Sequence, residues 1–178
     1  MRPLRLLCAA LLLLGAASCG SSDASPSEAI DDGYTALSAG SPGDALASFE
    51  SALAALTEAD PSYLEAKIGE IRARCYSNAV QAKTDLLGLS KAAGVEAKHY
   101  NQVVTDFVAA ATKQASADKD AATATINQAV ELLTQGKENF PEYTKWDGLI
   151  KKVGDKATAL GSADALATLK GLGYVGGD

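Results

Sequence analysis

An apolar stripe with the period of an α-helix runs through the middle of the chain and restricts what the chain can fold into. Its members recur over 25 residues in seven steps, a mean of 3.57 residues per step: Leu64, Ile68, Ile71, Cys75, Ala79, Ala82, Leu86 and Leu89. An α-helix has 3.6 residues per turn, whereas a half-buried strand alternates every second residue. The stripe therefore predicts helix between Leu64 and Leu89, either as one helix or as two with a break near Gly88.

The rest of the chain has the composition and punctuation of further helices. Alanine, the strongest helix former, supplies 31 residues after position 18, and period-two runs of β-branched and aromatic residues are missing. Pro, Gly and capping residues predict helices over 27–39, from Ser41-Pro42 to near Glu58, from Asp60-Pro61 onward, over 97–116, over 118–136, from Phe140-Pro141 through 157, and from Gly161-Ser162 to near Gly173. The expected fold class is all-α.

The first eighteen residues have the organisation of an export signal. Arg2 and Arg5 make a positive start, Leu6 to Leu14 are almost wholly apolar, and the small residues 15–18 follow. The apolar run is far shorter than the roughly 20 residues that span a bilayer. Residues 1–18 are therefore predicted to be a signal peptide that is removed.

The residues at the end of this signal resemble a known processing site. Ala16-Ala17-Ser18-Cys19 is similar to the lipobox of bacterial lipoproteins, although that family usually has Leu where Ala16 stands. The resemblance implies that Cys19 becomes the lipidated first residue of the mature chain. The polar residues that follow are typical of a short flexible tether, so 19–27 is assigned to the lipidated Cys and tether and 28–175 to the helical domain. The alternative is an ordinary secretory signal with a chance Cys.

The same resemblance has a consequence for location. In bacterial lipoproteins, Asp directly after the lipidated Cys retains the protein on the inner membrane, and here that position is Gly20. The resemblance therefore favours a lipid-anchored protein on the cell envelope, at the periplasmic face of the outer membrane. Attachment to the membrane would come from the acyl chains.

One segment resembles a tetratricopeptide repeat, in which two antiparallel helices pack through small residues. The positions that match the family are Gly33, Gly40, Ala45, Phe49 and Ala52. Small residues let the helices approach closely, and Phe49 would fill the seam between them. The chain departs from the family at Ala29 and Ala36, where large aromatics are usual, and at Thr57, where the closing Pro would fall. The resemblance implies a short stack of antiparallel helical hairpins; an irregular helical bundle is the alternative.

Charge and residue inventory exclude several functions. Without residues 1–18 the chain has 14 Lys and Arg against 22 Asp and Glu, a net charge of −8 that disfavours nucleic-acid partners. His99 is the only histidine, so a His-based metal site or a Ser-His-acid triad is ruled out. Cys8 leaves with the signal and Cys19 takes the lipid, so Cys75 remains as a predicted buried, inert thiol. We expect no enzyme, no cofactor and no metal.

A helical stack without catalytic groups favours a protein or peptide partner. In tetratricopeptide arrays the first helix of each pair lines the concave face, so partner-binding residues should be polar or aromatic positions on first helices outside the apolar stripe. That resemblance implies Tyr34 and Ser38 on the first helix, and His99 and Gln102 on the helix that begins near Glu96. The alternative for each residue is simple solvation, with a surface or capping role for His99.

Two other function classes stay open at this point. A periplasmic small-ligand-binding lipoprotein is favoured if a roomy apolar pocket surrounds Phe107, Tyr143 and Trp146, although Trp146 lies on a stripe typical of the core. A structural envelope component, whose helices fill space, is the other. Both alternatives keep the lipid anchor at Cys19.

Overall fold

The structure, a computed structural model, describes residues 25–89 and 94–176. Within these ranges it contains helices and no strand, which confirms the all-α fold class. The eight helices of the described ranges are α1 (Pro26–Ser38), α2 (Pro42–Ala54), α3 (Tyr63–Arg74), α4 (Ala79–Leu89), α5 (Ala97–Gln114), α6 (Lys119–Asn139), α7 (Trp146–Leu160) and α8 (Ala163–Gly171). None of them is long and apolar enough to cross a membrane. The predicted signal peptide 1–18 and Cys19 lie outside the described residues.

Consecutive helices pack as hairpins, and the hairpins stack. Short connections return the chain between neighbouring helices, so each pair packs side by side. The first helices of the pairs also contact one another in order, α1 with α3, α3 with α5 and α5 with α7, while α4 contacts α6 and α6 contacts α8. The domain is therefore a stacked array of helical hairpins with its first helices along one side.

Helix α3 lies between two hydrophobic clusters. Its small residues Ala66 and Ala73 join a cluster built around α1 and α2, whereas Ile68 and Ile71 join the larger cluster of the remaining helices. All four side chains are at most 2% exposed. Because its two faces belong to different clusters, α3 couples the first hairpin to the rest of the array.

Phe49 fills the seam of the first hairpin, as the sequence predicts. Its ring is fully buried and lies against glycine on both neighbouring helices. A Cβ built at Gly33 of α1 would be 2.7 Å from ring atom Cε1, and one at Gly69 of α3 would be 2.3 Å from it. The ring of Tyr34 meets Phe49 edge-on at a centroid distance of 5.0 Å. Glycine is therefore required on both sides of this ring.

The long apolar stripe is two helices, and the break expected near Gly88 is at residues 75–78 instead. The backbone amide of Asn78 donates to the carbonyl of Arg74 at 2.8 Å and closes the turn. The side-chain oxygen of Asn78 then accepts from the amide of Gln81 at 3.1 Å, which caps α4. Cys75 and Ala82 on the two sides of the turn are both buried, so the stripe continues through the break.

The predicted start of α1 is revised, and that of α2 at Ser41-Pro42 is confirmed. Helix α1 begins at Pro26, inside the predicted tether, because Ser25 and Glu28 form a capping box: the amide of Ser25 donates to the Glu28 carboxylate at 2.8 Å and the amide of Glu28 donates to Ser25 Oγ at 3.3 Å. Ser41 stands at the N-cap position of α2, but its side chain makes no capping hydrogen bond.

Three boundaries in the middle of the domain differ from the prediction as well. Helix α2 ends at Ala54 rather than near Glu58. Helix α6 continues through Gly136 to Asn139, and α7 begins at Trp146 rather than at Phe140-Pro141. A Cβ at Gly136 would be 2.6 Å from Trp146 Cη2. Gly136 therefore makes room for an aromatic ring and does not end the helix.

Candidate functional site

A groove of about 380 Å³ lies on the side of the array that carries the first helices. Its lining comes from α1, from α3 and the turn before it, and from α5 and the turn before it: Tyr34, Pro61, Leu64, Glu65, Ile68, Gly94, Glu96, Lys98, His99 and Gln102. We call it the first-helix groove. Tyr34, His99 and Gln102, three of the four residues predicted from the sequence, lie together in it. Ser38 does not line it and is exposed one turn beyond Tyr34 on α1.

Tyr34 is a fixed wall of this groove. Its hydroxyl donates to the backbone carbonyl of Glu65 at 3.2 Å, and its ring packs on the edge of Phe49. Burial raises the pKa of the Tyr34 phenol, and the Glu65 carboxylate raises it further. The phenol therefore stays neutral. The sequence prediction requires surface residues that can be substituted without loss of stability. Tyr34 also supports the core, so it is not such a residue.

His99 caps the start of α5. Its Nδ1 accepts the backbone amide proton of Glu96 at 3.0 Å, which confirms the capping role considered for this residue. Burial lowers the pKa of the His99 imidazole, and the neighbouring Lys98 lowers it further. The neutral ring carries its proton on Nε2, because Nδ1 is the acceptor. His99 therefore presents an uncharged hydrogen-bond donor.

Other groups of the groove have no partner of their own within the described part of the chain. Gln102 and Glu65 are exposed, and among residues 25–89 and 94–176 no side-chain hydrogen bond or ion pair engages the Gln102 amide or the Glu65 carboxylate. Leu64 provides apolar surface in the same groove. A concave site with a small number of polar groups that can orient a ligand is the usual form of a binding site.

An ion pair beneath the groove holds the first helices together. Arg72 of α3 donates from Nε to the Asp106 carboxylate of α5 at 2.7 Å, and both side chains are largely buried. The Arg72 guanidinium carbon also lies 5.7 Å from the centre of the Tyr34 ring. Burial raises the pKa of Asp106, and Arg72 opposes that rise. The ion pair therefore links α1, α3 and α5. The charges of Arg72 and Asp106 neutralise each other.

The sequence prediction missed Leu64, Ile68 and Glu65. The apolar stripe assigns Leu64 and Ile68 wholly to the core, yet both line the groove in part. Glu65 was missed because the rule for first helices was applied to the helices of Tyr34 and Gln102 and not to α3. Applied there, it selects Glu65 as the polar position next to the stripe.

A second groove, of about 470 Å³, lies on the second helices of the pairs. Its lining comes from α4, α6 and α8: Leu87, Asn127, Val130, Glu131, Thr134, Gln135, Asp164, Ala165 and Thr168. Several of its polar groups already bind each other or a neighbour. Ser162 Oγ donates to Asn127 Oδ1 at 3.0 Å, and Glu131 pairs with Lys83. We therefore place the candidate site in the first-helix groove, where the polar groups are less engaged.

The remaining chemically reactive and aromatic side chains belong to the core. The Cys75 thiol is buried and donates to the Ile71 carbonyl at 3.3 Å. Burial raises the pKa of this thiol well above its ordinary value, so the predicted inert thiol is confirmed. Phe107 and Trp146 are at most 2% exposed, and Trp146 Nε1 donates to the Phe140 carbonyl at 2.8 Å. These two rings belong to the hydrophobic core.

No group of three or more His, Cys, Asp or Glu side chains that could hold a metal ion occurs in the described ranges. No protein-family model matches the chain, and comparisons with curated proteins and with solved structures found no match.

Proposed function

We propose that the chain is a membrane-anchored lipoprotein of the cell envelope whose helical domain binds a protein or peptide partner without catalysis. One observation carries the binding part of this proposal. Tyr34 and His99, which are 65 positions apart, lie with Gln102 in a single groove on the first helices. The tetratricopeptide resemblance of residues 33–52 supports the same use, because such arrays bind partners along their first helices.

The anchor part rests on the lipobox resemblance at Cys19. Cys19→Ser should abolish metabolic labelling with a palmitate analogue and release the protein from the membrane fraction. Cys8→Ser is the matched control, since it makes the same substitution within the predicted signal peptide and should leave both labelling and location unchanged. Unchanged labelling of Cys19→Ser contradicts lipidation at that residue.

The proposed location can be tested at the neighbouring residue. If the host has two membranes, the wild-type chain should fractionate with the outer membrane, since Gly20 is not the retention signal. Gly20→Asp should shift it toward the inner membrane. An identical distribution of the two proteins contradicts the assigned sorting.

The groove is tested with variants that spare the fold. Tyr34 supports Phe49, His99 caps α5 and Lys98 pairs with Glu96, so we choose Gln102→Ala, at an exposed side chain of the groove. Substitution at such surface positions usually changes stability by no more than about 0.5 kcal/mol. The matched control is Thr168→Ala, at an exposed side chain of the second groove.

We expect the groove variant to melt like wild type but to lose a protein recovered from solubilised membranes by affinity pull-down. The control variant should retain that protein. If both variants recover the same proteins as wild type, the binding proposal fails and a structural role for the helices is favoured. Loss in the control alone moves the binding site to the second groove.

A further inference from the structure

We infer that the first-helix groove takes a basic, extended polypeptide segment of the partner protein, an inference that rests on the proposed binding function. The first reason is the charge of the hairpin that forms one wall of the groove. No Lys or Arg occurs between Arg5 and Lys67. Glu28, Asp31, Asp32, Asp44 and Glu50 of this hairpin are exposed, and of these only Glu50 has an ion-pair partner among the described residues, Arg74 at 3.2 Å.

The cations near the groove are already neutralised. Lys98 pairs with Glu96 at 3.1 Å, and Arg72 pairs with Asp106 at 2.7 Å. Glu65 lies in the groove, and Asp31 lies one turn before Tyr34 on the exposed flank of α1. None of the ion pairs among the described residues involves either carboxylate. The groove and its α1 rim therefore keep uncompensated negative charge, which complements a cationic segment.

The length of the groove suits a short extended segment of polypeptide. The groove crosses α1, α3 and α5, and neighbouring helix axes are about 8–10 Å apart, so it extends roughly 16–20 Å. Extended chain rises about 3.3 Å per residue, which corresponds to five or six residues. The Gln102 amide can pair with a peptide backbone, and Leu64 can contact the aliphatic stem of a Lys or Arg side chain.

The test uses full-length protein in detergent micelles and two pools of fluorescent ten-residue peptides, read by fluorescence anisotropy. One pool carries three Lys or Arg per peptide and the other carries Asp or Glu at the same positions. We expect binding of the basic pool alone, weakened as salt rises from 50 to 200 mM. Asp31→Asn with Glu65→Gln should weaken it by up to about fivefold per carboxylate.

The matched control removes the same net charge elsewhere. Asp147→Asn with Asp164→Asn, on exposed positions of α7 and α8, should change binding less than about twofold. Equal weakening by both pairs of substitutions overturns the inference, as does binding of the acidic pool. Spermidine that binds as tightly as the basic peptides also overturns it, since the occupant would then be a small polycation.

The inference and the proposed function fail in different ways. If Gln102→Ala loses the membrane partner while Asp31→Asn with Glu65→Gln binds peptides unchanged, the charge argument is wrong and the binding groove stands. If the first variant keeps every partner, the groove itself is wrong.

Discussion

Phe49 of α2 and Gly69 of α3 meet so closely that a Cβ at position 69 would be 2.3 Å from the ring. Gly33 of α1 also meets this ring, and the ring of Tyr34 is T-shaped to it at a centroid distance of 5.0 Å. One aromatic side chain therefore sets the spacing of three helices. Because Tyr34 is also a wall of the first-helix groove, this contact ties the shape of the groove to the core.

Gly69→Ala should destabilise the domain, because the added methyl group collides with a buried ring rather than with a flexible side-chain end. Overpacking of this kind costs about 1–3 kcal/mol. Gly148→Ala is the matched control: this helical glycine of α7 is exposed, and a Cβ there meets nothing within 4 Å. Its free energy of unfolding should stay unchanged or rise by up to about 1 kcal/mol. Urea denaturation of both variants measures the difference, and equal effects would contradict the packing described.

Phe49→Ala should cost about 3–5 kcal/mol, since the ring is fully buried and leaves a cavity between three helices. That is a large part of the 5–15 kcal/mol typical of a whole domain. The midpoint of thermal or urea unfolding should fall accordingly. A loss below about 1 kcal/mol would mean that the first hairpin does not depend on this seam.

The single histidine should make stability fall in mild acid. Burial lowers the pKa of His99 in the folded state below its ordinary 6.5, so the unfolded chain binds the proton more readily. The stabilisation is therefore fully present above about pH 6.5 and is lost as pH falls through the folded pKa. Protonation of Nδ1 also removes the acceptor for the Glu96 amide.

His99→Gln isolates this effect, because Gln is a usual capping-box residue and does not titrate. The difference in unfolding free energy between wild type and His99→Gln should shrink or reverse between pH 7 and pH 5.5. Parallel stability curves for the two proteins over that range would contradict it. Asp106, whose pKa is raised by burial, contributes with the opposite sign but equally in both proteins, so it cancels in the comparison.

The fold class could be predicted from periodicity, but glycines inside helices could not be interpreted without the tertiary structure. Gly136 looks like a helix end in the sequence, and only the approach of Trp146 shows that it makes space. Gly88 looks like a break, yet it lies within α4 and the chain turns at Asn78 instead. The sequence feature that indicates this turn is Asn78, a capping residue inside an otherwise continuous apolar stripe.

The candidate site could be predicted from the sequence only in part. Tyr34, His99 and Gln102 could be selected by their position on first helices, because stacking places those helices side by side. Ser38 satisfies the same rule but does not line the groove, because it lies one helical turn beyond Tyr34 on α1. The structural role of Tyr34 depends on Phe49, and contact between residues distant in the chain cannot be read from helical spacing alone. The cap that His99 makes on Glu96 is local, and the sequence could indicate it.

Site-specific photocrosslinking in intact cells tests the central claim, that a partner binds in the first-helix groove, most directly. A photoreactive amino acid would replace Gln102 in one protein and Thr168, an exposed residue of the second groove, in another. The account predicts a crosslinked partner protein from position 102, reduced in the presence of Asp31→Asn with Glu65→Gln, and no such product from position 168. Crosslinking from position 168 alone, or the same product from both positions, would contradict it.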